Sequence, residues 1–220
     1  MSLIQYDFAN AVSGFYEIPT AVARSLLPAH LHPLEVQHGS GVLAITAFDF
    51  TDSMVGSYQE IVLAIIVPPL VRTGDPFPKS AQYPFLVGTS TAESREHAIE
   101  RWHLPHYMKE ISVDFAETEG HVDVKVRERS DPILDLHVTD YKWESANQLH
   151  QCFMLDGGTR YKVDMHLKGN FTEHEEEKGS LILHEHPMTA NLPAEEIPEQ
   201  PFRELRMKNG VQIFHELETL

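Results

Sequence analysis

Most of this 220-residue sequence alternates apolar and polar side chains with a period of two, and that regularity excludes most folds. Residues two apart share one face of a strand, so such a pattern predicts half-buried β-strands. Strands are predicted over 42–50 and 58–67, the second nearly apolar on both faces after Glu60, as a central strand would be. Residues 111–115 and 122–126 flank a polar turn at 117–120, the pattern of a hairpin. Further strands are predicted over 134–141, 149–155, 161–167 and 181–184. Asn209-Gly210, a pair suited to the positive φ angles of a type I′ turn, lies between 204–208 and 211–217 and predicts a second hairpin.

Only two stretches have helical character. One begins at Thr20 behind Pro19 and stops at Pro28, with Val22, Leu26 and Leu27 near one face. The other runs over 92–102 and ends before Pro105, with Ala98, Ile99 and Trp102 at helical spacing. The acidic run 173–177 reads as a solvated loop or bulge. No segment resembles a linker, so one domain over 1–220 is expected: mainly β with a few short helices, within the α+β class, folded as a barrel or sandwich.

Charge narrows the partners. A net charge of −16 with no Lys/Arg stripe argues against nucleic acid and against an anionic lipid surface. No apolar run approaches the roughly 18 residues a membrane span needs. The first ten residues lack the basic start and apolar stretch of a secretory signal, and a single cysteine, Cys152, permits no internal disulfide; both suggest a cytoplasmic protein. Cys152 itself reads as core.

Three stretches, in order, carry a family resemblance. The first is Leu26-Leu27-Pro28 with Leu31 and Pro33-Leu34-Glu35, followed by Gly56-Ser57-Tyr58-Gln59-Glu60. The second is Glu100-Arg101-Trp102-His103-Leu104-Pro105-His106. The third is Leu181-Ile182-Leu183-His184-Glu185-His186 with Leu192-Pro193 and Glu196-Ile197. Together they resemble the acetoacetate decarboxylase superfamily, which implies a single-domain β-barrel, self-association into a homo-oligomer and no cofactor. Glu60 matches an active-site glutamate of the family, Glu100, Trp102 and Pro105 match the motif that bears its lysine, and His186 takes the place of a family histidine.

The departures constrain the chemistry. Family members use the lysine after that proline to form an imine with a ketone. Here the position is His106, followed by Tyr107, and an imidazole nitrogen has no pair of exchangeable hydrogens from which an imine can be made. The family's second acid falls at Ile45, and its motif arginine at Ile99.

His106 suits acid or base work with an ordinary pKa near 6.5. Lys109 is the nearest amine; to form an imine its pKa would have to fall from roughly 10.4 to near 7, against the pull of the adjacent Glu110. Glu60, at the head of an apolar strand, is a candidate cavity carboxyl. Tyr58, Phe48, Phe50, Trp102 and Tyr107 are candidates for lining the cavity, with Glu100 and His186 as further binding residues. The pair His184-x-His186 shares a strand face, with Glu60 or His106 as a conceivable third ligand, yet unaccompanied histidine pairs are usually incidental and no metal is expected.

Two functions fit: an enzyme that keeps the family's cavity and acts on a small keto or enol acid, or another carbonyl compound, through His106 and Glu60 by lyase, hydratase or isomerase chemistry, or a non-catalytic binder or sensor of such a molecule. A third, a decarboxylase using Lys109, requires that amine to enter the cavity.

Overall fold

The computed structural model describes residues 4–220 and is dominated by strands. In chain order they begin with β1 (Ile4–Pro19), helix α1 (Thr20–Leu26), β2 (Ser40–Asp52), β3 (Tyr58–Ile66), β4 (Ser80–Thr89) and helix α2 (Ala92–Trp102). Next come β5 (Ser112–Thr118), β6 (His121–Glu128), β7 (Asp131–Thr139), β8 (Glu144–Asp156) and β9 (Thr159–His174). The chain ends with β10 (Ser180–Leu183), β11 (Arg203–Phe214) and β12 (Glu218–Thr219).

Strands β11-β1-β2-β3-β4-β8-β9 hydrogen-bond in that order, and β9 returns to β11, closing a seven-stranded barrel; β12 extends β9. The closing pairs are antiparallel except β4–β8, which is parallel and short. A second sheet, β10-β7-β6-β5, packs outside the barrel. Among the described residues no helix is long and apolar enough to cross a membrane.

The two faces of β3 explain its nearly continuous apolar sequence. Ile61, Leu63 and Ile65 point outward and join Val12, Leu43 and Ile45 in a core shared with Val122, Val124, Val126, Leu134 and Leu136 of the outer sheet. Tyr58, Val62 and Ala64 point into the barrel. A strand buried on both faces loses its polar alternation for this reason.

Three bulges change which residues face inward. In β1, Ala9 has no partner across the β2 ladder, so Tyr6 and Phe8 face inward before it, and Ala11, Ser13 and Phe15 after it. In β4, Phe85 is skipped between Pro84 and Leu86. In β11 the register slips between Lys208 and Val211.

That last slip corrects the second hairpin predicted above: β11 runs straight through Asn209-Gly210. Asn209 takes φ 47°, but Gly210 is not in the left-handed region, and a type I′ turn needs both. With β1 on one side and β9 on the other, continuing the ladder satisfies backbone groups that a reversal would strand. Gly210 serves close approach instead, since a Cβ there would collide with the Lys168 carbonyl and the Phe8 ring. The first hairpin, between β5 and β6, forms at 119–120 with Gly120 at φ 89°.

Strands β1 and β4 were not predicted. Ile4–Asn10, read from sequence only for the absence of a signal, forms the first half of β1; residues 1–3 lie outside the described residues. The acidic run begins in β9, where Glu173 pairs with Lys79 and Arg203, and continues as exposed loop.

Buried polar groups lock the outer sheet to the barrel. The fully buried Glu204 carboxylate of β11 accepts hydrogen bonds from the backbone N–H of Thr139 (2.7 Å), Lys178 (3.1 Å) and Gly179 (2.8 Å). Arg206, also fully buried, reaches Asp140 (3.0 Å) and Glu117 (2.7 Å). Buried charges survive when each is paired in this way.

Candidate active site

One end of the barrel is plugged by aromatic rings. Trp102, the last residue of α2, stacks on Phe214 (4.4 Å between centroids) and donates its indole N–H to the Tyr6 hydroxyl (3.0 Å). That hydroxyl lies 2.6 Å from His97 Nε2. Helix α2 is positioned for this by its caps: Thr91 accepts from the Ser94 N–H, and His103, at φ 53°, turns the chain away.

Behind the plug lies a cavity of about 90 Å3. Glu60 lines it with Phe48, Val62, Val87, Leu104, Cys152 and Met165. Its far end is more polar, with Ser13, Thr46, Ser80, Gln82, Gln148 and His150 on the wall. An apolar groove of about 280 Å3 adjoins it there, sharing Phe15 and Ser80. Among the described residues neither lysine nor arginine lines the cavity.

Glu60 faces inward because β3 alternates, and its neighbours across the ladders are Phe48 and Thr89. No side-chain hydrogen bond or ion pair to its carboxyl occurs among the described residues, and the side chain is only partly shielded where it opens onto the cavity. Burial without a partner pushes its pKa from 4.5 up to about 8. At neutral pH Glu60 is therefore mostly the neutral acid, able to donate a proton as well as to accept one. The Cys152 thiol is pushed up by burial and then by Glu60, which keeps it un-ionised; it forms part of the cavity wall rather than anonymous core.

His106 sits on a short extended segment after α2 that adds to the edge of β4. The Val87 N–H donates to the Pro105 carbonyl (2.9 Å) and the Tyr107 N–H to the Val87 carbonyl (2.7 Å). This parallel bridge puts His106 on the same face as Val87, which lines the cavity, but His106 is not itself a lining residue. Its Nδ1 is 2.7 Å from the Tyr107 carbonyl, so Nδ1 carries the hydrogen and Nε2 a lone pair. Nε2 is buried without a partner, and burial lowers the pKa, so the ring is neutral at pH 7. Counting two strand spacings and one residue pair, the Glu60 and His106 backbones are roughly 12 Å apart, so their side chains do not touch directly.

The remaining predicted residues separate. Phe48 lines the cavity, while Tyr58 and Trp102 are buried in the plug beyond it. Glu100 is exposed on α2. Tyr107, Lys109 and His186 gather around Glu128 outside the barrel: Lys109 Nζ donates to Glu128 (2.8 Å), the Tyr107 hydroxyl donates to the same carboxylate, and His186 Nε2 is 3.3 Å from it. The bonds from Lys109 and Tyr107 hold Glu128 down at about 2, and the partnership raises the Lys109 pKa. Lys109 is 62% exposed. The conditions an imine-forming amine needs are thus reversed at Lys109. Ile45, where the family's second acid would fall, points outward into the core beneath the second sheet.

The sequence reading missed the polar end. His150 is held neutral, its pKa lowered to about 4 by burial and then by Lys79 and His166, and its Nδ1 lies 2.9 Å from the Ser80 hydroxyl. Its signal was the inward parity of Gln148, His150 and Cys152, which only the barrel identifies as a wall.

Comparison with solved structures decides the fold. An acetoacetate decarboxylase superposes over 100% of this chain and 90% of its own, with TM-score 0.69 and 13% sequence identity. The fold is that of the acetoacetate decarboxylases. An acetoacetate decarboxylase-like enzyme from Sphingomonas wittichii RW1 matches with TM-score 0.66 and 15% identity, over 100% of this chain and 93% of its own. The enduracididine biosynthesis enzyme MppR complexed with pyruvate matches with TM-score 0.64 and 11% identity, over 99% and 90%. No family model matches the sequence and no curated protein does.

Proposed function

We propose that this acetoacetate-decarboxylase-like barrel binds a small, uncharged carbonyl compound and moves a proton on it through Glu60. The observation that carries the reading is the unpartnered Glu60 carboxyl, held near pKa 8 inside an otherwise largely apolar cavity. A neutral carboxylic acid aimed into a low-dielectric space donates a strong hydrogen bond to a carbonyl oxygen and stabilises the enol that forms when an α-proton leaves. The α-proton passes to water at the cavity mouth, because His106 Nε2, although neutral with a free lone pair, is enclosed by protein and does not line the cavity. The proton returns along the same path at the other carbon or the same one, so the sequence of steps is balanced without an external reactant.

Substrate charge follows from the wall. MppR was solved with pyruvate, a keto acid. A carboxylate ligand here would meet no lysine or arginine and would push Glu60 still further toward its neutral form, so an uncharged ketone, diketone or enol suits the site better than a keto acid. The same wall offers no amine for an imine.

Solvent deuterium exchange into the α-positions of acetylacetone, 2-butanone and acetoacetate, followed by proton NMR, tests the reading. Wild type is expected to accelerate exchange in the uncharged compounds, to lose this above pH 8, and to lose it by about 100-fold or more in Glu60→Gln with binding retained. Undiminished exchange in Glu60→Gln refutes it. Binding without exchange in wild type supports the second function, a carbonyl-binding protein, for which the absence of a cavity amine also speaks.

A further inference from the structure

A second cluster of chemically capable side chains lies on the outer sheet, on the side facing away from the barrel. Val122, Val124 and Val126 of β6 are fully buried against the barrel, so His121 and Asp123 face outward. The β6–β7 ladder sets Asp123 opposite His137, whose neighbours Leu136 and Val138 also face the core. The three side chains are 33%, 41% and 31% exposed, open to ions from solvent.

His137 Nδ1 is 2.7 Å from Asp123 Oδ1, and His121 Nε2 is 3.7 Å from Asp123 Oδ2. One ligand atom from each residue can be chosen with all three within 4.8 Å of one another. Bonds of about 2.0–2.2 Å in a tetrahedron put neighbouring ligand atoms roughly 3.4 Å apart, a spacing these distances bracket.

We infer that His121, Asp123 and His137 form a binding site for a divalent transition-metal ion of the zinc class, with water in the remaining position. Two imidazoles and one carboxylate select zinc, copper, nickel or cobalt over magnesium and calcium, which prefer sets of oxygen ligands. Thr118 Oγ1 lies 2.8 Å from both ring nitrogens of His121; with a metal on Nε2 it would keep only the contact to Nδ1 and so orient the ring. The net charge of −16 favours cations at the surface, and Arg127 further along the face is engaged with Asp135. Glu60 faces the barrel interior, so the ion would brace β6 against β7 rather than serve the cavity. The pair singled out in the sequence does not form such a site: His184 pairs with Asp135 (3.0 Å), and His186 with Glu128.

Isothermal titration of chelator-treated protein with zinc chloride tests this, repeated on His137→Ala, Asp123→Asn, the double variant His121→Ala/His137→Ala and His184→Ala, each checked for native circular dichroism. Wild type and His184→Ala should bind one ion per chain. His137→Ala should lose more than the roughly 10- to 100-fold that removal of an outer-shell partner costs, and the double variant should lose the site. A cobalt(II) absorption spectrum of tetrahedral type should appear in wild type and vanish in the double variant. An unchanged isotherm in the double variant, or no saturable one-to-one binding in wild type, overturns the inference.

Discussion

Replacing Glu60 by glutamine should change the pH dependence of stability more than stability itself. Folding lifts the Glu60 pKa from 4.5 to about 8, so between these limits the native carboxyl keeps a proton that the unfolded chain has released. Stability from this group is fully present below 4.5, falls as pH rises, and levels off above 8. At about 1.4 kcal/mol per pH unit, the wild-type loss reaches about 3 kcal/mol at pH 7 and about 5 kcal/mol at pH 9. These are upper bounds, since water admitted to the cavity would solvate the anion. Glutamine has a similar shape and does not titrate. Urea unfolding of both proteins at pH 5, 7 and 9 should show the variant gaining on wild type by up to about 4 kcal/mol from the lowest to the highest pH. The fixed cost of burying the amide cancels in that comparison. If the two curves run parallel within about 0.5 kcal/mol, Glu60 is solvated or paired and the reasoning fails.

Two further outcomes follow from placement. Borohydride reduction in the presence of acetoacetate, read by intact mass, should give no lysine adduct, and Lys109→Ala should leave cavity binding unchanged, because the amine is exposed and paired with Glu128 outside the barrel; a stoichiometric adduct that disappears in Lys109→Ala would contradict this. Gly210→Ala should destabilise by about 1–3 kcal/mol in denaturant melts through overpacking against Lys168 and Phe8, and an unchanged unfolding midpoint would contradict that close approach.

Much of the fold was legible because period-two alternation survives wherever one strand face is exposed. Residues 112–118 and 121–128 show this, and the helix over 92–102 carries its own start and stop signals. Strand β1 was hidden by the bulge at Ala9, which shifts the inward parity midway and leaves residues 10–14 buried in succession. Strand β4 was hidden by Pro84 and the skipped Phe85. At Asn209-Gly210 a correct local propensity, positive φ at Asn209, was overridden by partners on both sides of the strand. Glu60 was legible as a carboxyl in an apolar strand. The wall around it was not, because His150, Cys152 and Gln212 reach it only through barrel closure. Lys109 and His186 were drawn toward the cavity by chain proximity to His106 and by motif, yet side-chain pairing with Glu128 holds them outside.

The most direct test of the central claim is to titrate the Glu60 carboxyl itself. With glutamate labelled at the side-chain carboxyl with carbon-13, and the resonance assigned by its loss in Glu60→Gln, the chemical shift can be followed from pH 4 to pH 10 with and without acetylacetone. The account predicts a midpoint near 8 in the free protein and a further change when the ligand fills the cavity. A midpoint near 4.5, indifferent to ligand, would contradict it.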